Sequence, residues 1–137
     1  MGTDPERGLS LQLNEAMPFG SFLGLEVLAA SAEEVRARLE WAEELCTAGG
    51  ILHGGTLMGL ADSTGGFCAF LNLPDGATGT ATIESKTNFF AAVREGWVEA
   101  VSRPLHIGKT TIVVDTDLLD SSGRRIARVT QTQAVLR

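Results

Sequence analysis

Between Gly54 and Leu71 the chain carries a single charged side chain, Asp62. Within this segment Leu57, Ala61, Thr64, Cys68 and Leu71 recur at spacings of four, three, four and three. That spacing lays one apolar stripe along an α-helix. A helix with so little polarity has to be covered on most of its sides. Asn72, Pro74, Asp75 and Gly76 then stop it, and the rest of the chain must supply the cover.

On both sides of this helix the period is two. Leu25, Val27 and Ala29 alternate with Glu26 and Leu28, and Val35, Ala37, Leu39 and Trp41 alternate with Arg36, Arg38 and Glu40. Period two with one charged face predicts half-buried strands, and Ser31-Ala32-Glu33-Glu34 suits a hairpin between them. Four further strand-like runs cover about 80–90, 96–106, 110–120 and 124–136. Their turn signals are Arg94-Glu95-Gly96, Ile107-Gly108 and Ser121-Ser122-Gly123; short connections of this kind join antiparallel neighbours. Leu9 to Met17 predicts a short N-terminal helix ended by Pro18, and residues 1–8 read as a loose tail. The expected fold class is α+β: one central buried helix wrapped by a curved antiparallel sheet of about six strands, plus the short N-terminal helix, in one domain over 9–137.

Composition bounds the function. With 137 residues, 44% of them apolar, the chain can build one core without disulfides or metals. A net charge of -6 gives no general attraction for nucleic acid, so a polyanionic ligand needs local basic residues. No apolar run approaches the roughly 20 residues of a membrane span, and Met1 to Gly8 has no signal-peptide pattern. The expectation is a cytoplasmic protein with no membrane partner. Cys46 and Cys68 lack CxxC spacing and are expected to be reduced and at least partly buried. No His/Cys/Asp cluster has metal-ligand spacing, so no metal is expected. The absence of a Gly-x-Ser-x-Gly elbow argues against a serine triad.

Two features can carry chemistry. The first is the pair Gly54-Gly55 at the start of the apolar helix, after His53. Free N–H groups at a helix N-terminus stabilise negative charge, as a tetrahedral oxyanion requires. An ordinary glycine-rich loop leading into a helix accounts for the pair equally well. The second is Asp62, with Met58 at i−4, Gly65 at i+3, Gly66 at i+4 and Ala69 at i+7. An unpaired buried carboxylate is costly, and two mid-helix glycines cost roughly 1 kcal/mol each relative to alanine. Something needs the space beside Asp62, a substrate or a neighbouring helix packed close. A structural aspartate bonded to backbone or facing solvent is the alternative. Met58, Phe67, Phe70, Phe89 and Phe90 are candidates to line an acyl pocket, with plain core packing as the competing assignment.

The runs His53-Gly54-Gly55 and Leu60-Ala61-Asp62, with Thr82-Ile83-Glu84-Ser85-Lys86-Thr87-Asn88-Phe89 and His106-Ile107-Gly108-Lys109-Thr110 after them, resemble the hotdog-fold thioesterases of the phenylacetyl-CoA thioesterase type. The resemblance covers about residues 20–136. It implies a hotdog fold and hydrolysis of an aryl or medium-chain acyl-CoA to free acid and CoA, with no cofactor beyond that substrate. It implies that the Gly54 N–H, helped by Gly55, polarises the thioester carbonyl, and that Asp62 is the nucleophile or the general base. It implies too that helix start and carboxylate come from different subunits of a homodimer or dimer of dimers. Thr82 matches a Ser/Thr that places the carboxylate or the water. Thr47, six residues before His53, stands where relatives often have Asn or Gln. His53 is a scaffold or acid–base candidate. Lys109 is the preferred contact for the CoA phosphates, with His106 and Lys86 as further candidates. The rivals are a non-catalytic acyl-CoA binding module, a hydratase of the same fold, for which no Asp-x-x-x-x-His pair is present, and a purely structural assembly protein.

Overall fold

The computed structural model describes the backbone of residues 5–137 and their side chains apart from those of 5–7 and 9. Helix α1 spans Pro5–Ala16 and so begins before the predicted Leu9; of the expected 1–8 tail, residues 1–4 lie outside the described residues. Pro18 ends α1 as predicted but also opens a second helix, α2 (Pro18–Leu23). Proline suits a first turn because the N–H it lacks has no intrahelical partner there. Gly24 stops α2 at φ 71°, a left-handed conformation, and the Leu25 N–H returns to the Gly20 carbonyl at 3.0 Å.

Strands β1 (Glu26–Ala30) and β2 (Val35–Glu40) form the predicted hairpin. Ser31 closes it, its Oγ accepting from the Glu34 N–H at 3.2 Å. A single 3-10 turn at Glu43–Leu45 leads to α3, Gly54–Phe70. Strands β3 (Gly79–Phe89), β4 (Trp97–Ile107), β5 (Thr111–Asp120) and β6 (Arg125–Leu136) then follow.

The sheet order is β1-β2-β4-β5-β6-β3, and every pair is antiparallel. This corrects one expectation: β3 and β4 are consecutive but not neighbours. Their connection, 90–96, is no tight turn. Val93 within it is buried, its carbonyl accepts from the Leu52 N–H at 2.9 Å, and the Gly96 carbonyl accepts from Trp41 at 2.8 Å. The chain thereby crosses from one edge of the sheet to β2, and β3 is left as the far edge, held by β6 alone.

The inner face of the sheet wraps α3. Leu57, Leu60, Ala61 and Cys68 of the helix and Val98, Ala100, Val114, Leu118 and Val129 of the strands are all nearly inaccessible to solvent. Burying each of the larger side chains contributes about 1.5–3 kcal/mol. Four positions of the predicted helix stripe are in this core; Leu71, just past the helix end, is 37% exposed. The expectation of cover on most sides fails along one flank of α3 within a single chain, where Asp62 and Phe70 are exposed. Among the described residues no helix is long and apolar enough to cross a membrane.

Candidate active site

Asp62 stands in the third turn of α3, on the flank the sheet leaves open. Beside it lies a cavity of about 460 Å³. Helix α1 contributes Leu13 to its wall, Met17 adds to it from the junction of α1 and α2, α3 contributes Gly66, Phe67 and Phe70, and Thr80, Thr82 and Gln133 close it from β3 and β6. Of the five apolar pocket candidates, Phe67 and Phe70 line it; Met58, Phe89 and Phe90 do not. Although Asp62 is solvent-accessible on this flank, desolvation by the surrounding protein is the largest influence on its carboxyl and raises its pKa above the ordinary aspartate range. A hydrogen bond from Thr82 acts in the opposite sense.

The two glycines after Asp62 have different causes. A Cβ on Gly65 would stand 2.8 Å from Gln131 Cδ and closer still to its Nε2. This corrects the expectation of a substrate or a neighbouring helix: at Gly65 the space is taken by a glutamine side chain of β6. A Cβ on Gly66 would meet nothing within 4 Å. Gly66 keeps the cavity open next to the carboxylate.

Gln131 and Gln133 are site residues that sequence reasoning missed. Both are buried, on the inward face of β6. Gln133 Nε2 donates to Thr82 Oγ1 at 2.8 Å and also to Gln131 Oε1, and Gln131 Nε2 donates to the Ala61 carbonyl at 3.1 Å. The signal was available: inward positions Ala127 and Val129 are followed in period two by Gln131 and Gln133. A polar side chain at an inward strand position requires a partner.

At the other end of α3, His53 is the N-cap and its Nδ1 accepts from the Gly55 N–H at 2.8 Å. The Gly55 donor is thus engaged within the chain, which leaves the Gly54 N–H without an acceptor among the described residues. A Cβ on Gly54 would come within 3.2 Å of the Phe89 ring. Thr56 Oγ1 and the His53 N–H both bond the Leu45 carbonyl, each at 2.9 Å, which fixes the helix start. Thr47 is exposed in the adjoining loop, where its N–H donates to Ile51 at 2.8 Å. It therefore belongs to the Gly54 end of the helix, while Thr82 belongs to the Asp62 end.

The basic candidates are not gathered. Lys86 pairs with Thr130 in the β3–β6 ladder, a position on the sheet face turned away from α3. His106 and Lys109 are exposed at the β4–β5 hairpin, beside the other end of β3. Cys46 and Cys68 are unpaired, and burial pushes the Cys68 thiol up to about 11, where it stays protonated and weakly nucleophilic. No group of three metal-ligating side chains occurs among the described residues.

A model of the thioesterase superfamily matches residues 49–127, which contain the start of α3, Asp62 and Thr82. ComA2 of Bacillus subtilis is 34% identical over 116 residues, 84% of this chain and 91% of that one. The 1,4-dihydroxy-2-naphthoyl-CoA hydrolase of Escherichia coli is 33% identical over 87 residues, 64% of this chain and 63% of the enzyme. The crystal structure of a mutant of thioesterase PA1618 from Pseudomonas aeruginosa superposes with a TM-score of 0.86 at 29% identity, covering 98% of this chain and 96% of that one. The family match and the sheet-wrapped helix together carry the conclusion that this chain belongs to the thioesterase superfamily and has its hotdog fold.

Proposed function

We propose that the protein hydrolyses acyl-CoA thioesters in the cytoplasm, at sites shared between two copies of the chain. The observation that carries this reading is Asp62, a carboxylate with a raised pKa at the wall of a largely apolar cavity. Desolvation makes such a carboxylate a stronger base or nucleophile toward the carbonyl carbon. A thiolate leaves readily, so the reaction needs carbonyl polarisation and a placed attacking group more than it needs acid assistance.

The donor for the carbonyl oxygen is the free Gly54 N–H. Gly54 and Asp62 are eight residues apart on one helix, about 12 Å along its axis. An oxyanion donor has to stand about 3 Å from the oxygen it stabilises. One chain therefore cannot offer both groups to one carbonyl. A second copy, placing its α3 antiparallel to the first, supplies the missing partner. The exposed edge strand β3, with Ile83 62% and Phe89 49% accessible, is a surface suited to that contact. We assign Thr47 to placing the water and His53 to shaping the helix start.

The cavity suits an aromatic or medium-chain acyl group, since about 460 Å³ falls within the span of small-molecule sites. The similarity to an aryl-CoA hydrolase favours the aromatic choice. Lys109, with His106 nearby on the same hairpin, is assigned to the CoA phosphates, and Lys86 is the third candidate. The test is thiol release from a panel of aryl and aliphatic acyl-CoAs. Wild type should turn over, and Asp62→Ala and Asp62→Asn should each lose on the order of 10²–10⁴ in kcat. Turnover retained in both variants overturns the reading, and tight binding without release makes the protein a binding module.

A further inference from the structure

We propose that Gln131 and Gln133 are positioning residues that commit the Thr82 hydroxyl to donate to the Asp62 carboxylate, through a hydrogen-bond relay whose direction is set by the Ala61 backbone carbonyl. The proposal deepens the role given to Asp62 above and rests on that reading for its catalytic meaning.

The direction follows from which atoms can only donate and which can only accept. The Ala61 carbonyl only accepts, so Gln131 turns its Nε2 toward it, at 3.1 Å. Gln131 Oε1 then faces Gln133, which must present its own Nε2. The second proton of that same Nε2 goes to Thr82 Oγ1 at 2.8 Å. With its oxygen already accepting, Thr82 has one proton left to give; Thr82 and Asp62 share the wall of one cavity, and we take the Asp62 carboxylate, on which a Thr82 hydrogen bond acts, as its acceptor. Flipping either glutamine would set oxygen against oxygen or nitrogen against nitrogen. No step in the chain is free to reverse.

The surroundings hold this arrangement in place. Gln131 and Gln133 are 0% and 2% exposed. Thr82 lies directly opposite Gln133 in the β3–β6 register. Gly65 leaves room for the Gln131 amide, which a single Cβ would displace. The relay starts at Ala61 and ends at Asp62, consecutive residues of α3, so it ties the helix to both strands at the reacting turn. Among the described residues lining the cavity from α1, α3, β3 and β6, Asp62 is the only ionisable one. The hydroxyl donor is therefore the chief local group favouring its charged form.

The test is a ¹³C NMR titration of the Asp62 carboxyl, identified by its loss in Asp62→Asn. Gln133→Met keeps the volume and removes the relay. It should move the Asp62 midpoint upward by roughly half a pH unit or more, with kcat/KM at neutral pH falling more than KM rises. Thr82→Val should give the same upward shift, Thr82→Ser should restore the wild-type midpoint, and the Gln133→Met/Thr82→Val double variant should shift no further than either single one. A wild-type midpoint in Gln133→Met, or additive shifts in the double variant, overturns the relay. If Gln133→Met does not fold, the wild type decides. The Gln131 and Gln133 side-chain amide signals should titrate with the Asp62 midpoint and stop doing so in Asp62→Asn; static signals overturn the relay. The NMR readouts need no turnover. A chain with the titration but no thioester hydrolysis keeps the relay and loses the proposed reaction, and the converse result does the opposite.

Discussion

The two ends of α3 use glycine and hydrogen bonding toward opposite results. At the start of the helix, His53 takes up the Gly55 N–H, and the Gly54 N–H has no acceptor among the described residues. Eight residues on, Asp62 is given a donor, Thr82, which is itself fixed by two buried glutamines. One end is a donor kept vacant; the other is an acceptor kept engaged. The comparison teaches that, in the proposed reaction, neither end is a reaction centre alone. Each is assigned one half of a site, and the helix between them, about 12 Å from Gly54 to Asp62 along its axis, keeps the halves of one chain apart.

The largest effect expected from breaking this comparison is loss and recovery of activity. Gly54→Pro removes the free N–H at a first-turn position that tolerates proline, and should lower kcat by about 10²–10³. Asp62→Asn disables the other end. Mixing the two inactive proteins after subunit exchange should restore about a quarter of wild-type activity, because half of the dimers become mixed and each mixed dimer holds one intact site. Activity that stays absent, in mixtures where native mass spectrometry finds mixed dimers, would mean that each site is built within one chain.

The next contrast lies inside the Asp62 end. Gly65→Ala drives a Cβ into the buried Gln131 amide, which cannot retreat without releasing Ala61 or Gln133. A destabilisation of about 1–3 kcal/mol is expected from chemical denaturation, together with loss of turnover. Gly66→Ala meets open space and should stabilise the helix by up to about 1 kcal/mol. Its added methyl narrows the cavity beside Asp62, so its effect should be a raised KM for bulky acyl groups. Equal effects from the two substitutions would refute the separate roles assigned to these adjacent glycines.

Much of this was legible in the sequence, for identifiable reasons. The alternation in residues 80–136 placed the ends of all four strands there within one residue, because one face of each strand meets core and the other meets solvent. The uncharged run around Asp62 marked the helix for the same reason. Strand order was not legible. Arg94-Glu95-Gly96 reports that the chain reverses, not which strand receives it, and the burial of Val93 decides that β3 ends at the far edge. Gly65 and Gly66 read alike in sequence because only a third element, β6, tells them apart. Gln131 and Gln133 sat in an alternating strand pattern where glutamine passes for a solvent-facing residue. The Gly55 donor could not be discounted before its bond to His53 was seen.

The smallest expected effect concerns stability and pH, and it separates the two ends by charge. The folded-state pKa of Asp62 is raised by burial above its unfolded value. A group of this kind contributes stability that is fully present below the unfolded pKa and is lost as pH rises through the folded one. At neutral pH the wild type therefore bears the cost of an ionised, partly desolvated carboxylate. Asp62→Asn removes that cost and should raise Tm at pH 7. The open cavity screens the charge, so the gain should be small, on the order of 1–2 °C. It should shrink toward zero as pH falls below the ordinary aspartate range, where both proteins are neutral at this position. Gly54→Pro changes no titrating group, so whatever it does to Tm should be the same at every pH. Calorimetry of both variants across that range tests the distinction. A pH-independent gain in Asp62→Asn would show that packing, rather than the desolvated charge, sets the stability of this turn of α3.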